Sequence, residues 1–448
     1  MAKVLISPLG VGPVKGAVSE RDYQEARYRF NSGDEYKTPF LSAALAQNFK
    51  IDKMFVVGTC RSMWEKVYEY FGVRSKSQFN EDYWVNLADK VSRSGIHNNN
   101  LTEEYLSEVN QVIDSYLTEN NNKATGGSHC TLIDYGLNEE QLWSNFDIFM
   151  QLSDKLEDGD QIYLDITHSF RSIPLFMYLM MDFIQNLNKK NIKLVGLYYG
   201  MLDVKTELGY TPVVNLQPLF EISKWIRGVY DFTNYGNGYL ISNLINDKEI
   251  AKRITNVSEL VNINYLVNLK EQITKLKESL DLERLKETKV LNYVLPQIKQ
   301  FLTRFEEIDS NHKFQFEIAK WYFDNKRYAN GYICLVESLF TYLCEIYDLD
   351  SNKISNRKLV RTLLASKDIG KRYYQLTYLM NLREIYRKTN NVRRNVAHAA
   401  LVGNKRNFDC DIENAKRYYQ EIENLFSEEK FEDLPSEISI SEMKKYKI

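Results

Sequence analysis

Gln161-Ile162-Tyr163-Leu164-Asp165-Ile166-Thr167 (QIYLDIT) is a continuous apolar and β-branched run that stops at a hydroxyl residue followed by histidine. A strand that is apolar on both faces is one buried on both faces, which is the condition of a parallel sheet covered by helices. Three other runs read the same way: Lys3–Leu9 (KVLISPL), Met54–Thr59 (MFVVGT) and Lys193–Tyr199 (KLVGLYY). Each ends at or near a Gly, Thr or His, where a strand hands over to a loop, and helical stretches separate them. Glu207–Leu216 (ELGYTPVVNL) reads as a turn and a final strand pairing back antiparallel. Residues 85–128 are polar and asparagine-rich, a helix plus a loop, with NNKATGGSH (121–129) the most flexible stretch. The first half is therefore an open, mostly parallel α/β domain.

Beyond residue 225 the strand pattern ends. Leu266, Leu269, Ile273, Leu276 and Leu280 recur at alternating three- and four-residue spacing, one apolar stripe on a connector helix. Helical patterns follow at Gln297–Ile308, Lys313–Asn325, Ala329–Tyr347, Arg372–Arg387, through His398, and at Cys410–Glu428, with the last dozen residues a frayed tail. The expected division is 1–225, a helical connector 226–300, and an all-α domain 301–448.

Composition narrows the function classes. With 20 glycines and 8 prolines in 448 residues, both fall below the usual roughly 7 % and 5 %, which argues against a turn-rich all-β chain. A net charge of -2 excludes a globally basic nucleic-acid binder, so a polyanion site must be local. The five cysteines (Cys60, Cys130, Cys334, Cys344, Cys410) form no CxxC pair, and the five histidines show no HExxH or HxH spacing. Reduced thiols, no metal site and a cytoplasmic location follow. The longest apolar stretch, Ile173–Met181, is far short of the roughly 20 residues a membrane span needs.

In open α/β sheets ligands gather beyond the carboxyl ends of the strands. There stand Ser7-Pro8-Leu9-Gly10, Gly58-Thr59-Cys60-Arg61-Ser62 and Thr167-His168-Ser169-Phe170-Arg171. Gly10 and Gly58 admit close backbone approach, Arg61 and Arg171 offer guanidinium forks, and Ser7, Thr59, Ser62, Thr167 and Ser169 offer hydroxyls, a set suited to an anion. Gly10 and Gly12 form a GxG, but Pro13 follows and no acidic residue ends the next strand, VVGT. No GxxxxGK[ST] occurs, so neither a dehydrogenase nor a P-loop enzyme fits.

The helical half conceals a local charge. Residues 371–407 carry nine Lys/Arg against one acid, Glu384, together with Tyr373, Tyr374, Tyr378 and Tyr386. Within it RRNVAHAA places Arg393 five positions before His398. Histidine moves protons near neutral pH and arginine stabilises phosphorane charge, the chemistry of RNA cleavage without a metal. Five positions on an α-helix turn about 140°, so Arg393 and His398 share a face only if Arg393 sits at a helix start or the sets combine across a dimer, whereas Arg394 lies one turn before His398.

With these motifs the sequence resembles the CRISPR-associated effectors of type III systems that join a CARF domain to a HEPN ribonuclease domain. KVLISPLG, VVGTCRSMW (56–64), LIDYGLNEEQL (132–142) and above all LDITHSFRSIPLF (164–176) carry the resemblance, with RRNVAHA (393–399) matching the R-x-x-x-x-H signature. The resemblance implies a Rossmann-like dimer whose loops Ser7–Gly10, Gly58–Ser62 and Thr167–Arg171 bind cyclic oligoadenylate, the tetramer before the hexamer. It implies a HEPN-like domain cutting single-stranded RNA with Arg393 and His398 as the catalytic pair and no cofactor; the second motif position, often Asn, His or Asp, is Arg394 here. Two other readings stand beside it: a non-catalytic ring-nucleotide sensor, and a ring nuclease in which His168 or Ser169 aids attack.

Overall fold

The computed structural model describes all residues except 13–20, 22, 77–78, 169–171, 188–189, 281–288, 307, 398–407 and 447–448. The chain divides into two compact units, Met1–Glu221 and Ile222–Ile448.

The first unit is built on strands β1 (Lys3–Leu9), β2 (Ala26–Arg29), β3 (Glu35–Thr38), β4 (Lys53–Gly58), β5 (His129–Leu132), β6 (Gln161–Asp165), β7 (Lys193–Gly200) and β8 (Thr211–Asn215). They form one sheet in the order β3-β2-β8-β7-β6-β1-β4-β5. β1 lies between β4 and β6, parallel to both, with Ile6 opposite Phe55 on one side and Leu164 on the other. β5 and β7 extend the parallel region, and β8 returns antiparallel to β7, as its sequence indicates. Alternation along β1 explains why its whole run is apolar. Leu5 enters the core beneath helices Leu41–Phe49, Trp64–Val73 and Ser107–Asn120. Val4 and Ile6 enter the opposite core, beneath Glu139–Asp154 and Ile173–Leu187.

The strands β2, β3 and β5, four residues each, were not among the sequence-derived strands. Residues 81–120 hold two helices, Glu81–Arg93 and Ser107–Asn120, rather than one. The glycine-rich stretch after them is pinned: Asp114 accepts from the amides of Gly127 (2.9 Å) and Ser128 (3.0 Å), and its last residue, His129, opens β5.

Among its described residues the second unit holds helices and no strand, and one apolar core joins Phe232 and Ile254 to Leu335, Leu382 and Ile422. The predicted stripe forms helix Leu266–Leu280 and buries Leu269, Ile273, Leu276 and Leu280. Asn264, in the left-handed region at φ 58°, separates it from helix Lys248–Ile263, whose N-cap Asp247 accepts from the amides of Glu249 (3.0 Å) and Ile250 (3.1 Å). The helix expected at Arg372–Arg387 runs from Thr377 to Ala397. The tail is a correction. Ile440–Met443 is helical, and Leu434, Ile438 and Met443 are fully buried, so the segment through Met443 packs instead of fraying.

Candidate functional site

Strands β1, β4 and β6 are neighbours, so the loops beyond their carboxyl ends converge. At the end of β6, Asp165 is fully buried; its carboxylate accepts from the Ser7 hydroxyl (2.8 Å) and the Thr167 amide (2.9 Å). Burial pushes its pKa up to about 6, and the Thr167 and Ser7 hydrogen bonds pull the other way. Thr167 in turn accepts the Gly200 amide at 2.9 Å, tying β6 to β7. His168 stacks on Tyr23 (centroids 4.3 Å apart), and its Nε2 lies 3.4 Å from the Tyr28 hydroxyl. Burial drives its pKa down to about 4, so the ring is neutral at physiological pH. Gly10 is required here: a Cβ would stand 2.9 Å from the Tyr23 hydroxyl.

The β4 loop is self-braced. Ser62 donates to the Leu9 carbonyl (2.7 Å) and accepts the Thr59 amide (2.9 Å), and Trp64 donates to the Thr59 carbonyl (2.9 Å). Thr59 and Ser62 are fully buried, and Gly58 has no room for a Cβ, which would come within 2.9 Å of Trp64. The hydroxyls of Ser7, Thr59 and Ser62 are thus turned inward and shape the loops. Arg61 is half-buried and donates to the Ser94 carbonyl at 3.0 Å. Beside it lies a buried pair that the sequence reading missed: Arg21 contacts Glu65 at 3.1 Å and donates to the carbonyls of Val11 and Arg61. Burial raises the Glu65 pKa and Arg21 opposes that rise. The guanidinium fastens the β1 loop to the β4 loop. Beyond β4 and β5 a cleft of about 300 Å³ opens among Cys60, His97, Asn98, Asp134 and Tyr135.

In the helical unit Arg393 is half-buried. Its Nη1 lies 3.3 Å from Glu337 Oε1 and its Nε donates to Asn390 at 3.2 Å. Glu337 is shared, since Arg357 pairs with its other carboxylate oxygen and donates to Thr341 (3.1 Å). Arg394 faces elsewhere, into an open cleft of about 640 Å³ that it lines with Arg361, Lys367, Arg383, Arg387 and Asn391. The cationic cluster therefore separates by role. Arg372 pairs with Glu442, Lys388 with Glu384, and Arg383 with the carbonyls of Leu363 and Ser366. Arg387 and Arg394 are exposed on the cleft, joined by Arg361 and Lys367, two cations outside the 371–407 window.

Of the expected site residues, Ser7, Gly10, Gly58, Thr59, Arg61, Ser62, Thr167 and His168 come together at the strand ends. Ser169, Phe170, Arg171 and His398 lie outside the described residues. Among the described residues no cluster of three or more His, Cys, Asp or Glu is placed to hold a metal, and no helix is long and apolar enough to cross a membrane.

A mostly parallel sheet whose strand-end loops meet over a buried Asp165, followed in the chain by a helical unit with a cationic cleft, defines a two-part architecture: an open α/β domain and a helical domain. Residues 4–202 match the family described as CRISPR system endoribonuclease Csx1, CARF domain, and residues 221–312 match the second domain of CRISPR-associated protein MJ1674. The chain is 45 % identical over 417 residues to CRISPR-associated protein MJ1674 of Methanocaldococcus jannaschii, an overlap of 92 % of this chain and 64 % of that protein. The chain thus spans less than two thirds of that relative's length. Among solved structures, Enterococcus italicus Csm6 bound to cyclic hexa-2'-fluoro-hexa-dAMP aligns over 99 % of both chains at 12 % identity, with a TM-score of 0.42. The first unit is thus similar to a CARF domain, and most of the chain is similar to a CRISPR-associated protein.

Proposed function

We propose that the protein is a cyclic-oligoadenylate-activated, metal-independent endoribonuclease that cuts single-stranded RNA in type III CRISPR antiviral defence in the cytoplasm. The ring, the tetramer before the hexamer, sits on the loops after β1, β4 and β6, with Arg61, His168 and Arg171 its polar contacts. The helical unit is a HEPN-like nuclease. The RNA 2′-hydroxyl attacks the adjacent phosphorus and forms the new P–O2′ bond as the P–O5′ bond breaks, leaving a 2′,3′-cyclic phosphate and a 5′-hydroxyl. His398 transfers the proton, and Arg393 balances the charge that builds on the phosphorane. The observation that carries this reading is the open cleft lined by Arg387 and Arg394, from the helix that bears Arg393, and by Arg361 and Lys367 from neighbouring helices, in a chain whose other unit matches a CARF domain.

The test incubates the full chain with single-stranded RNA, with and without cyclic tetra- or hexa-adenylate. Ring-dependent cleavage that persists in EDTA and leaves 5′-hydroxyl ends is expected; 5′-phosphate ends or loss in EDTA would refute the mechanism. A second reading, ring cleavage at the strand ends, rests on the position of His168 beyond β6, where its Nε2 lies 3.4 Å from the Tyr28 hydroxyl. Linear oligoadenylate would appear in the same incubation.

A homodimer suits this function, because a two-fold ring and an isologous interface share symmetry. Helix Ile173–Leu187 leaves Leu175, Leu179, Phe183 and Leu187, each four positions apart, exposed on one side. A contiguous apolar stripe on a surface marks an interaction site. Leu179→Glu is expected to shift the chain to monomer in sedimentation; an unchanged mass would place the interface elsewhere.

A further inference from the structure

Glu337 faces two ways. One oxygen holds Arg393, and the same carboxylate forms part of the wall of a separate cleft of about 580 Å³. That volume is within the range of small-molecule sites. The cleft is enclosed by helices Leu266–Leu280, Asn311–Asp324 and Tyr328–Ile346 and by the segment at Ser351–Arg357. Its apolar side is Leu266, Val267 and Phe314, with Val267 65 % exposed. Its polar side is rich in amides, Asn311, Gln315 and Asn352, groups that both donate and accept as a base edge requires. Gln315 Oε1 is buried there without a hydrogen-bond partner. An unsatisfied buried acceptor costs free energy and calls for a donor. Two guanidiniums, Arg357 on the cleft wall and Arg393 behind it, share the single Glu337 carboxylate, and Lys270 and Glu271 complete the charged lining.

We propose that this cleft is a nucleobase pocket beside Arg393 that receives one base of the RNA strand, a base with an exocyclic amine donating to Gln315 Oε1. The proposal rests on the ribonuclease reading above. It gives the enzyme a base preference at the cut, disfavouring uracil, whose only Watson–Crick-edge donor is a ring N–H.

The test measures binding of CMP and UMP to the full chain by ligand-observed NMR. CMP is expected to bind more tightly than UMP and to resist displacement by excess cyclic tetra-adenylate. Gln315→Leu should weaken CMP roughly three- to tenfold, the value of one hydrogen bond, and leave UMP unchanged. Val267→Trp, at an exposed wall position, should fill the cleft and abolish CMP binding even if Gln315→Leu disturbs folding. Equal binding of CMP and UMP, displacement of CMP by the ring, or parental CMP affinity in both variants would overturn the pocket. Failure of the ribonuclease reading is separate: CMP would bind as stated while RNA stayed uncut with the ring present.

Discussion

Arg393→Ala and His398→Ala will each lower ring-activated RNA cleavage by about a hundred- to ten-thousandfold while cyclic oligoadenylate binding stays at the parental level. The magnitude is that of removing one general acid–base group or one preorganised charge at a developing oxyanion. Glu337 and Asn390 hold the Arg393 guanidinium from two directions, as the proposed role requires. Arg394 is the informative neighbour. It is exposed on the basic cleft, so Arg394→Ala should raise KM and flatten the salt dependence of RNA binding by about one phosphate contact, with kcat little changed. The opposite division, kcat lost in Arg394→Ala and retained in Arg393→Ala, would move the catalytic role by one residue. Full activity in both Arg393→Ala and His398→Ala would end the assignment of this helix as the nuclease site.

The parallel core was legible because burial on both faces writes itself as unbroken apolar runs. KVLISPL corresponds residue for residue to β1, and QIYLDIT begins where β6 begins. The strands β2 and β3 left a weaker mark. ARYR alternates buried Ala26 and Tyr28 with exposed Arg27 and Arg29, a period-two pattern too short to stand out from a loop. The terminal helices were misread for a related reason: Leu434, Ile438 and Met443 carry a sparse helical period inside a charged segment. At the site, residue types were legible and partnerships were not. Nothing in the order of residues brings Arg21 to Glu65, 44 positions away, or Glu337 to Arg393, 56 positions away. The charge count likewise gathered cations by sequence proximity, whereas the cleft selects by helix face. It takes Arg387 and Arg394 and adds Arg361 from another helix, while Lys388 goes to an ion pair.

Asp165 and His168 should give the protein opposed pH dependences that nearly cancel until one is removed. Between its ordinary value of 3.8 and about 6, the folded chain holds a proton on Asp165 that the unfolded chain has released. Stability from this group therefore falls as pH rises through that window and stays reduced above it. His168 acts the other way. Between 6.5 and about 4 the unfolded imidazole takes up a proton that the folded one refuses, so its contribution falls as pH drops. The windows overlap from about pH 4 to 6, and the parental chain should show a shallow profile there. Asp165→Asn removes the first limb. Its Oδ1 still accepts the Thr167 amide and its amide group can donate to Ser7, so the loop holds. The variant should gain up to about 3 kcal/mol at neutral pH, the equivalent of the roughly two-unit displacement of a fully buried carboxyl, and its stability should rise steadily with pH to about 6.5. His168→Gln should do the reverse and lose stability as pH climbs from about 4 to 6. Denaturant titrations of the full chain across this range decide it. Identical slopes in the parent and both variants would mean that the carboxyl and the imidazole titrate normally and that the strand-end loops are not the dry site described.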